Sequence, residues 1–278
     1  MNTPQGLKPL VLCADDYAQE AGVSHAIVQL ARQGRLSATS AMVLSPRWRQ
    51  DAAPLAELRV QLDVGLHLDW TSPYAQAAGH GLTLARAMRR AWLGGFERSG
   101  ARTVIERQLD LFEAHWQAAP DHVDGHQHVQ QFAGIREPLV ELLARRYGAK
   151  KPWLRLSRAP AGQRGLKSRI MACMGANALE NRAFHTGLPS AAGLSGIYNF
   201  SGDQAAYARR MAGWLSASPA GTVLMCHPGT GKTDAAAPLD PIADARAREW
   251  AHLGSALFTE QLAAAQATLV RGSALFTA

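Results

Sequence analysis

Short apolar runs alternate with amphipathic stretches along nearly the whole chain, and that alternation leaves few folds open. Residues 9–13 (PLVLC), 40–44 (SAMVL), 60–68 (VQLDVGLHL), 153–156, 196–200 (GIYNF) and 222–226 (TVLMC) read as strands, because strands buried on both faces are near-continuous apolar runs. Residues 122–129 read as a further strand or strand end. Between them, Val23, Ala26, Ile27, Leu30 and Ala31 recur at helical spacing up to Gly34, and Ile105, Leu109, Phe112 and Trp116 do so again. Helices are also expected over 139–147 and 257–270. Strand–helix alternation means parallel strands joined by crossover helices. About seven such units in 278 residues predict an α/β fold, a distorted (β/α) barrel. The chain is long enough to bury a sizeable core and has no repeat or linker, so residues 1–278 are expected to form a single domain. Residues 71–100 and 160–195, rich in Gly, Pro and Ala without a firm period, the latter with two short helical candidates, are expected to be insertions that shape a substrate groove.

Composition removes several classes. No run of about 18 apolar residues exists, so no membrane span is expected. The first residues lack the basic start, apolar stretch and small-residue site of a secretory signal, and a cytoplasmic location is expected. Cys13, Cys173 and Cys226 are an odd number without CxxC spacing, against a disulfide framework or a cysteine zinc site. Cys13 and Cys226 read as small core residues. The net charge of +7 invites a nucleic-acid reading. Its basic residues are scattered, as at Arg89-Arg90, Arg145-Arg146 and Arg209-Arg210, so solvated helix faces are expected and no nucleic acid. The motifs GxxxxGK[ST], GxSxG and HExxH are absent.

The polar residues just beyond each apolar run carry the chemistry. PLVLC leads into Ala14-Asp15-Asp16, LDVGL into His67 and Asp69, residues 122–123 into Asp124-Gly125-His126-Gln127-His128, and VLMC into His227-Pro228-Gly229. In parallel α/β folds the carboxyl ends of strands meet at the active site. Each piece has a plainer reading: a helix cap at Asp15-Asp16, a satisfied core histidine at His67, a turn at His227. Adjacent buried carboxylates repel, however, and call for a cation or a shared proton. On an extended segment Asp124, His126 and His128 would face one way, roughly 6–7 Å apart, with Gln127 pointing away. His25, His80, His115, His122, His185 and His252 are expected to be structural.

Two imidazoles and a carboxylate, with positions left for water, make a hydrolytic metal site. Asp16, His67 and His126 can supply it, Asp15 can accept the water's proton, and His227 can protonate a leaving group. Residue chemistry alone does not choose between Asp15 and Asp16, or between His126 and His128. Competing readings are hydrolysis of a phosphoester or a glycoside, the latter pairing Asp15 with Asp124, and a basic module for nucleic acid or membrane with a structural metal.

Ala14-Asp15-Asp16-Tyr17, residues 34–42 (GRLSATSAM), Gly65-Leu66-His67-Leu68, Asp124 to Val129 and His227-Pro228-Gly229 together resemble the YdjC/ChbG-like carbohydrate deacetylases, in order and spacing across nearly the whole chain. The resemblance implies a (β/α)-barrel-like fold, one divalent metal ion, and removal of acetyl groups from N-acetylated sugars, chitooligosaccharides being the best-known class. Carried over, the metal ligands fall on Asp16, His67 and His126, the base on Asp15, and a site-facing position on His227. Arg155 matches a recurrent basic position for orienting substrate, and Asp124 and His128 are expected to bind substrate or support the ligands. Tyr17 stands where the family often has Phe, and Gln130 where it often has His. Residues 160–195 match loosely, which leaves the sugar open. A branch associated with hopanoid lipid biosynthesis suits the Arg- and Ala-rich character. Imidazole ligands favour zinc, whereas the family is often described as magnesium-dependent, so Mg or Zn is expected. The partner expected is an acetylated sugar or glycolipid, with a homodimer as one assembly open to the chain.

Overall fold

A computed structural model describes residues 6–163, 165–231 and 240–276. Its strands are β1 (Lys8–Tyr17), β2 (Ala38–Ala41), β3 (Asp63–Leu68), β4 (His122–Gly125), β5 (Trp153–Leu154), β6 (Gly193–Ser195), β7 (Thr222–Cys226) and β8 (Ala267–Leu269). All pairings are parallel, in the order β5-β4-β3-β2-β1-β7-β6, with β8 added at the start of β1. A single bridge, Leu154 to Ser190, spans the gap between β5 and the segment leading into β6. The strands therefore follow one another in chain order around the ring. This is the expected distorted barrel, with its helices outside.

Alternation along each strand sorts the side chains. Val11 and Cys13 of β1, Trp153 of β5, Leu194 of β6 and Val223 and Met225 of β7 form one small buried cluster within the ring. Leu10, Leu12, Val64, Leu66, Val123 and Leu224 point the other way, into the larger core under the helices. Helix Gly272–Leu275 and Phe276 close the lower end, Phe276 packing 5.2 Å from the Trp153 ring. The apolar plug is thus low in the barrel, and polar side chains take the layer above it.

Gly65 shows how tight that interior is. Trp153 and His122 stack at 4.3 Å, and a Cβ on Gly65 would run into the His122 ring. Gly65→Ala is expected to cost about 1–3 kcal/mol through overpacking, read from the urea midpoint. An unchanged midpoint would mean that the ring pair can shift.

Several sequence expectations move. The strand placed over 196–200 lies at Gly193–Ser195, and the helix placed over 257–270 ends at Ala264, before β8. Residues 71–100 hold helices Pro73–Ala77 and Leu84–Trp92, which no firm period marks, whereas the two short helices expected within 160–195 are present as Leu166–Cys173 and Ala176–Thr186. Only β4 of the extended segment expected over 122–129 is a strand. Residues His126–Gln131 coil into a 3-10 turn, with Gln127 and His128 at positive φ.

Candidate active site

Asp15 and Asp16 are neighbours, and in a regular strand they would face opposite sides. The pairing of β1 with β2 slips here: Ala14 lies opposite Thr39, but Tyr17 opposite Ala41. Three steps on β1 therefore match two on β2, which is a bulge. Asp16 takes a φ of 65°, a conformation aspartate tolerates better than most residues. The bulge brings both carboxylates to the cleft at the carboxyl end of the barrel.

β3 and β4 run in register with His67 opposite Asp124. His67 Nδ1 lies 2.6 Å from Asp124 Oδ1 and 3.1 Å from Ser40 Oγ, which leaves Nε2 facing Asp16 Oδ1 at 3.3 Å. His126, on the first residue of the 3-10 turn, points Nδ1 at the same oxygen, 3.0 Å away. Burial alone would lower the His67 pKa. The charges of Asp124 and Asp15 and the hydrogen bonds of Asp124 and Asp16 outweigh it and push the pKa up to about 10.

The expected convergence of Asp124, His126 and His128 on one side is corrected by the turn. His126 reaches Asp16, Asp124 stands behind His67, and His128 Nδ1 lies 2.9 Å from Ser157 Oγ. Gln127, expected to point away, is exposed and lines the cleft. The left-handed backbone at Gln127 and His128 breaks the two-residue alternation on which that expectation rests.

Two guanidinium groups brace the carboxylates. Arg155, wholly buried, donates from Nη1 to Asp15 Oδ1 at 2.5 Å and from Nη2 to Asp15 Oδ2 at 2.7 Å, with Nη1 also 3.0 Å from Asp124 Oδ2. Arg246, on helix Ala243–Leu253, donates from Nη2 to Asp16 Oδ2 at 2.7 Å and from Nε to Asp240 Oδ2 at 2.6 Å. Burial works against the charged form of Asp16, but the Arg246 and His126 charges hold its carboxyl well below the usual carboxylate range. Asp124 is held low in the same way by Arg155 and His67.

His227 stands just after β7 with Nε2 3.9 Å from Asp15 Oδ2, and its ring meets Phe200 edge-on at 5.2 Å. Its backbone N–H donates to Glu249 Oε2, while Tyr198 Oη donates to Glu249 Oε1. Burial pushes the His227 imidazole below its ordinary pKa, which favours its neutral form. Motifs and strand ends do not single out Arg246, Asp240, Glu249 or Tyr198. A usable signal exists for two of them, since Arg246 and Glu249 fall on the buried stripe with Ala245 and Leu253.

A divalent ion fits one trio. Ligand atoms about 2.0–2.2 Å from an ion lie roughly 3–3.5 Å from one another, as the Asp16–His67 and Asp16–His126 separations do. Asp124 behind His67 also supplies the outer carboxylate that orients a ligating imidazole. Cys13/His122/Asp124 and Asp15/His67/Asp124 are close enough too. In both, the carboxylate oxygens are already taken: Asp15 gives both to Arg155, and Asp124 gives Oδ2 to Arg155 and Oδ1 to His67, whereas Asp16 gives Arg246 only Oδ2 and keeps Oδ1 for an ion.

Asp15, Asp16, His67, His126, His128 and His227 line one cleft of about 510 Å³, whereas Asp124 and Arg155 lie beneath its floor. Its walls are apolar, with Leu84 and Met88 from residues 71–100 and Ile170, Met171 and Met174 from residues 160–195.

Residues 9–264 match the family described as YdjC-like protein. A chitooligosaccharide deacetylase of Yersinia pestis is 34% identical over 170 residues, covering 57% of this chain and 63% of that protein. The match thus spans less than two thirds of that curated relative. Among solved structures, a protein of Enterococcus faecalis V583 provisionally named for cellobiose-phosphate cleavage superposes with a TM-score of 0.70 at 17% identity, covering 98% of this chain and 100% of that one. The Bc1960 peptidoglycan N-acetylglucosamine deacetylase gives 0.52 at 12% identity, covering 99% and 91%. These two likenesses concern the fold.

Proposed function

The chain belongs to the YdjC-like protein family, and from that premise we propose that it is a metal-dependent deacetylase of N-acetylated sugars, in chitooligosaccharide-like or lipid-linked form. The observation that carries the proposal is the meeting of Asp16, His67 and His126 on one carboxylate oxygen, with Asp15 and His227 beside them in the same cleft. The deacetylase relative supports the reaction class. Asp16, His67 and His126 hold the ion, and two imidazoles among three ligands favour zinc over magnesium. Three cysteines with no disulfide among them agree with a reducing compartment such as the cytoplasm.

A bound divalent ion supplies an acidified water and polarises the acetamide carbonyl. The chain's own residues do the rest. Arg155 holds both Asp15 oxygens, which aims the carboxylate into the cleft. Asp15 accepts the proton of the attacking water. Burial favours the neutral form of His227, so the proton it gives to the leaving nitrogen comes to it from a neighbour. Asp15, 3.9 Å away, is the neighbour that can deliver it. The C–N bond breaks, leaving acetate and the free amine. Asp124 has no opening to the cleft, which removes the partner that the glycosidase reading gives Asp15.

Acetate released from N-acetylglucosamine oligomers by the purified, metal-loaded protein tests the proposal. Release should stop on chelation and return with added metal. Metal-replete protein that frees no acetate from any acetylated sugar would sink it. Asp124→Asn is expected to weaken metal binding about 10–100-fold by loosening His67, measured by competition with a chromophoric chelator. Unchanged affinity would show that Ser40 alone orients the ring.

A further inference from the structure

Two short helices, Leu84–Trp92 and Leu166–Cys173, both contribute to the walls of the cleft. Each carries its lining stripe outward at four-residue spacing, the interval that stacks side chains on one helix face. On the first, Leu84 and Met88 line the cleft and Trp92 continues the row, 64% exposed. On the second, Ile170 lines the cleft at 42% exposure and Leu166 continues outward at 76%. Leu93, directly after Trp92, is 79% exposed. Scattered exposed apolar residues are ordinary. Here four of the eight large exposed ones among the described residues gather on these two helices or directly after one of them.

The same helices are basic without a single acid: Arg86, Arg89 and Arg90 on the first, Lys167 and Arg169 on the second. Lys167 donates to the Tyr198 carbonyl, and Arg90 lies over the Phe96 ring. No carboxylate among the described residues pairs with Arg86, Arg89 or Arg169. An apolar row flanked by unpaired cations is the pattern of a helix lying in a membrane interface. A second copy of this chain would bring the same charge, +7 overall, against these arginines. Nucleic acid would leave the Trp92 and Leu166 rows in water.

We propose that helices Leu84–Trp92 and Leu166–Cys173 form a docking face that seats the mouth of the cleft on an anionic phospholipid surface. Trp92, Leu93, Leu166 and Ile170 enter the boundary between headgroups and acyl chains, and Arg86, Arg89 and Arg169 lie among the lipid phosphates. The attachment is peripheral, since no helix among the described residues is long and apolar enough to cross a membrane. It does not depend on which bond the cleft hydrolyses.

Co-sedimentation of the full chain with vesicles tests it, using phosphatidylcholine alone and phosphatidylcholine with about one third phosphatidylglycerol. The protein is expected to pellet with the anionic vesicles at low salt and to be released as salt screens the charge. Trp92→Ser/Leu166→Ser and Arg86→Gln/Arg89→Gln should each lower partitioning at least about ten-fold, each basic residue near such a surface being worth roughly five-fold. None of these four residues lines the cleft, so melting curves and acetate release from soluble oligomers should match the parent, which separates failure of docking from failure of the reaction. The proposal is overturned if the parent stays in the supernatant with anionic vesicles at low salt. It is equally overturned if either double variant binds as the parent does, or if the only association lost in Trp92→Ser/Leu166→Ser is between copies of the chain.

Discussion

Replacing Arg155 by methionine is expected to cost about 3–5 kcal/mol of folding stability, the largest loss from any single substitution at this site. The guanidinium is wholly buried and bridges two carboxylates that are also buried, Asp15 at 2.5 Å and Asp124 at 3.0 Å. Methionine fills similar space but leaves both negative charges without that cation. Burying the pair has its own desolvation cost, so the loss measures charges stranded rather than energy gained by the bridge. Urea denaturation of the metal-free protein reads it directly. Adding Asp15→Asn to Arg155→Met should restore part of the loss, because one of the two stranded charges is then gone. A loss below about 1 kcal/mol, or no recovery in the double variant, would mean that water or protons already compensate these carboxylates.

Asp15→Asn alone is expected to lower acetate release by about 10²–10⁴-fold, the usual worth of a positioned general base, while bound metal stays at the level of the parent. His126→Ala should lower both together, because His126 faces the ligand oxygen of Asp16 and Asp15 does not share that contact. Metal content separates the two roles, since a ligand and a base both abolish turnover. If Asp15→Asn kept a tenth or more of the activity, the proton would have to leave by another route. His227 is then the nearest alternative, 3.9 Å from the carboxylate in the intact protein.

Much of this site is legible in the sequence, and particular residues show why. His67 sits at the carboxyl end of an apolar strand, and strand alternation alone sends it to the same face as Gly65 and Asp63. Asp124 lies on the next strand, and parallel register sets the two opposite each other. His126 and His128 are misplaced together when the extended segment is carried past Gly125. A 3-10 turn with two left-handed residues leaves no mark in hydrophobic periodicity. Arg246 is out of reach for another reason. It lies 230 residues from the carboxylate it binds, and only closure of the barrel brings its helix over the end of β1.

Order along the chain was enough for the parallel alternation, the barrel and the placing of acids and imidazoles at strand ends, because burial of both strand faces writes itself into local runs of apolar residues. Which atoms meet was decided in three dimensions. The bulge that turns Asp15 and Asp16 to the cleft, the two guanidinium braces, and the sinking of Asp124 and Arg155 beneath its floor all arise between separate elements of the fold. Register slips and buried ion pairs are agreements between distant segments, and no single segment carries them.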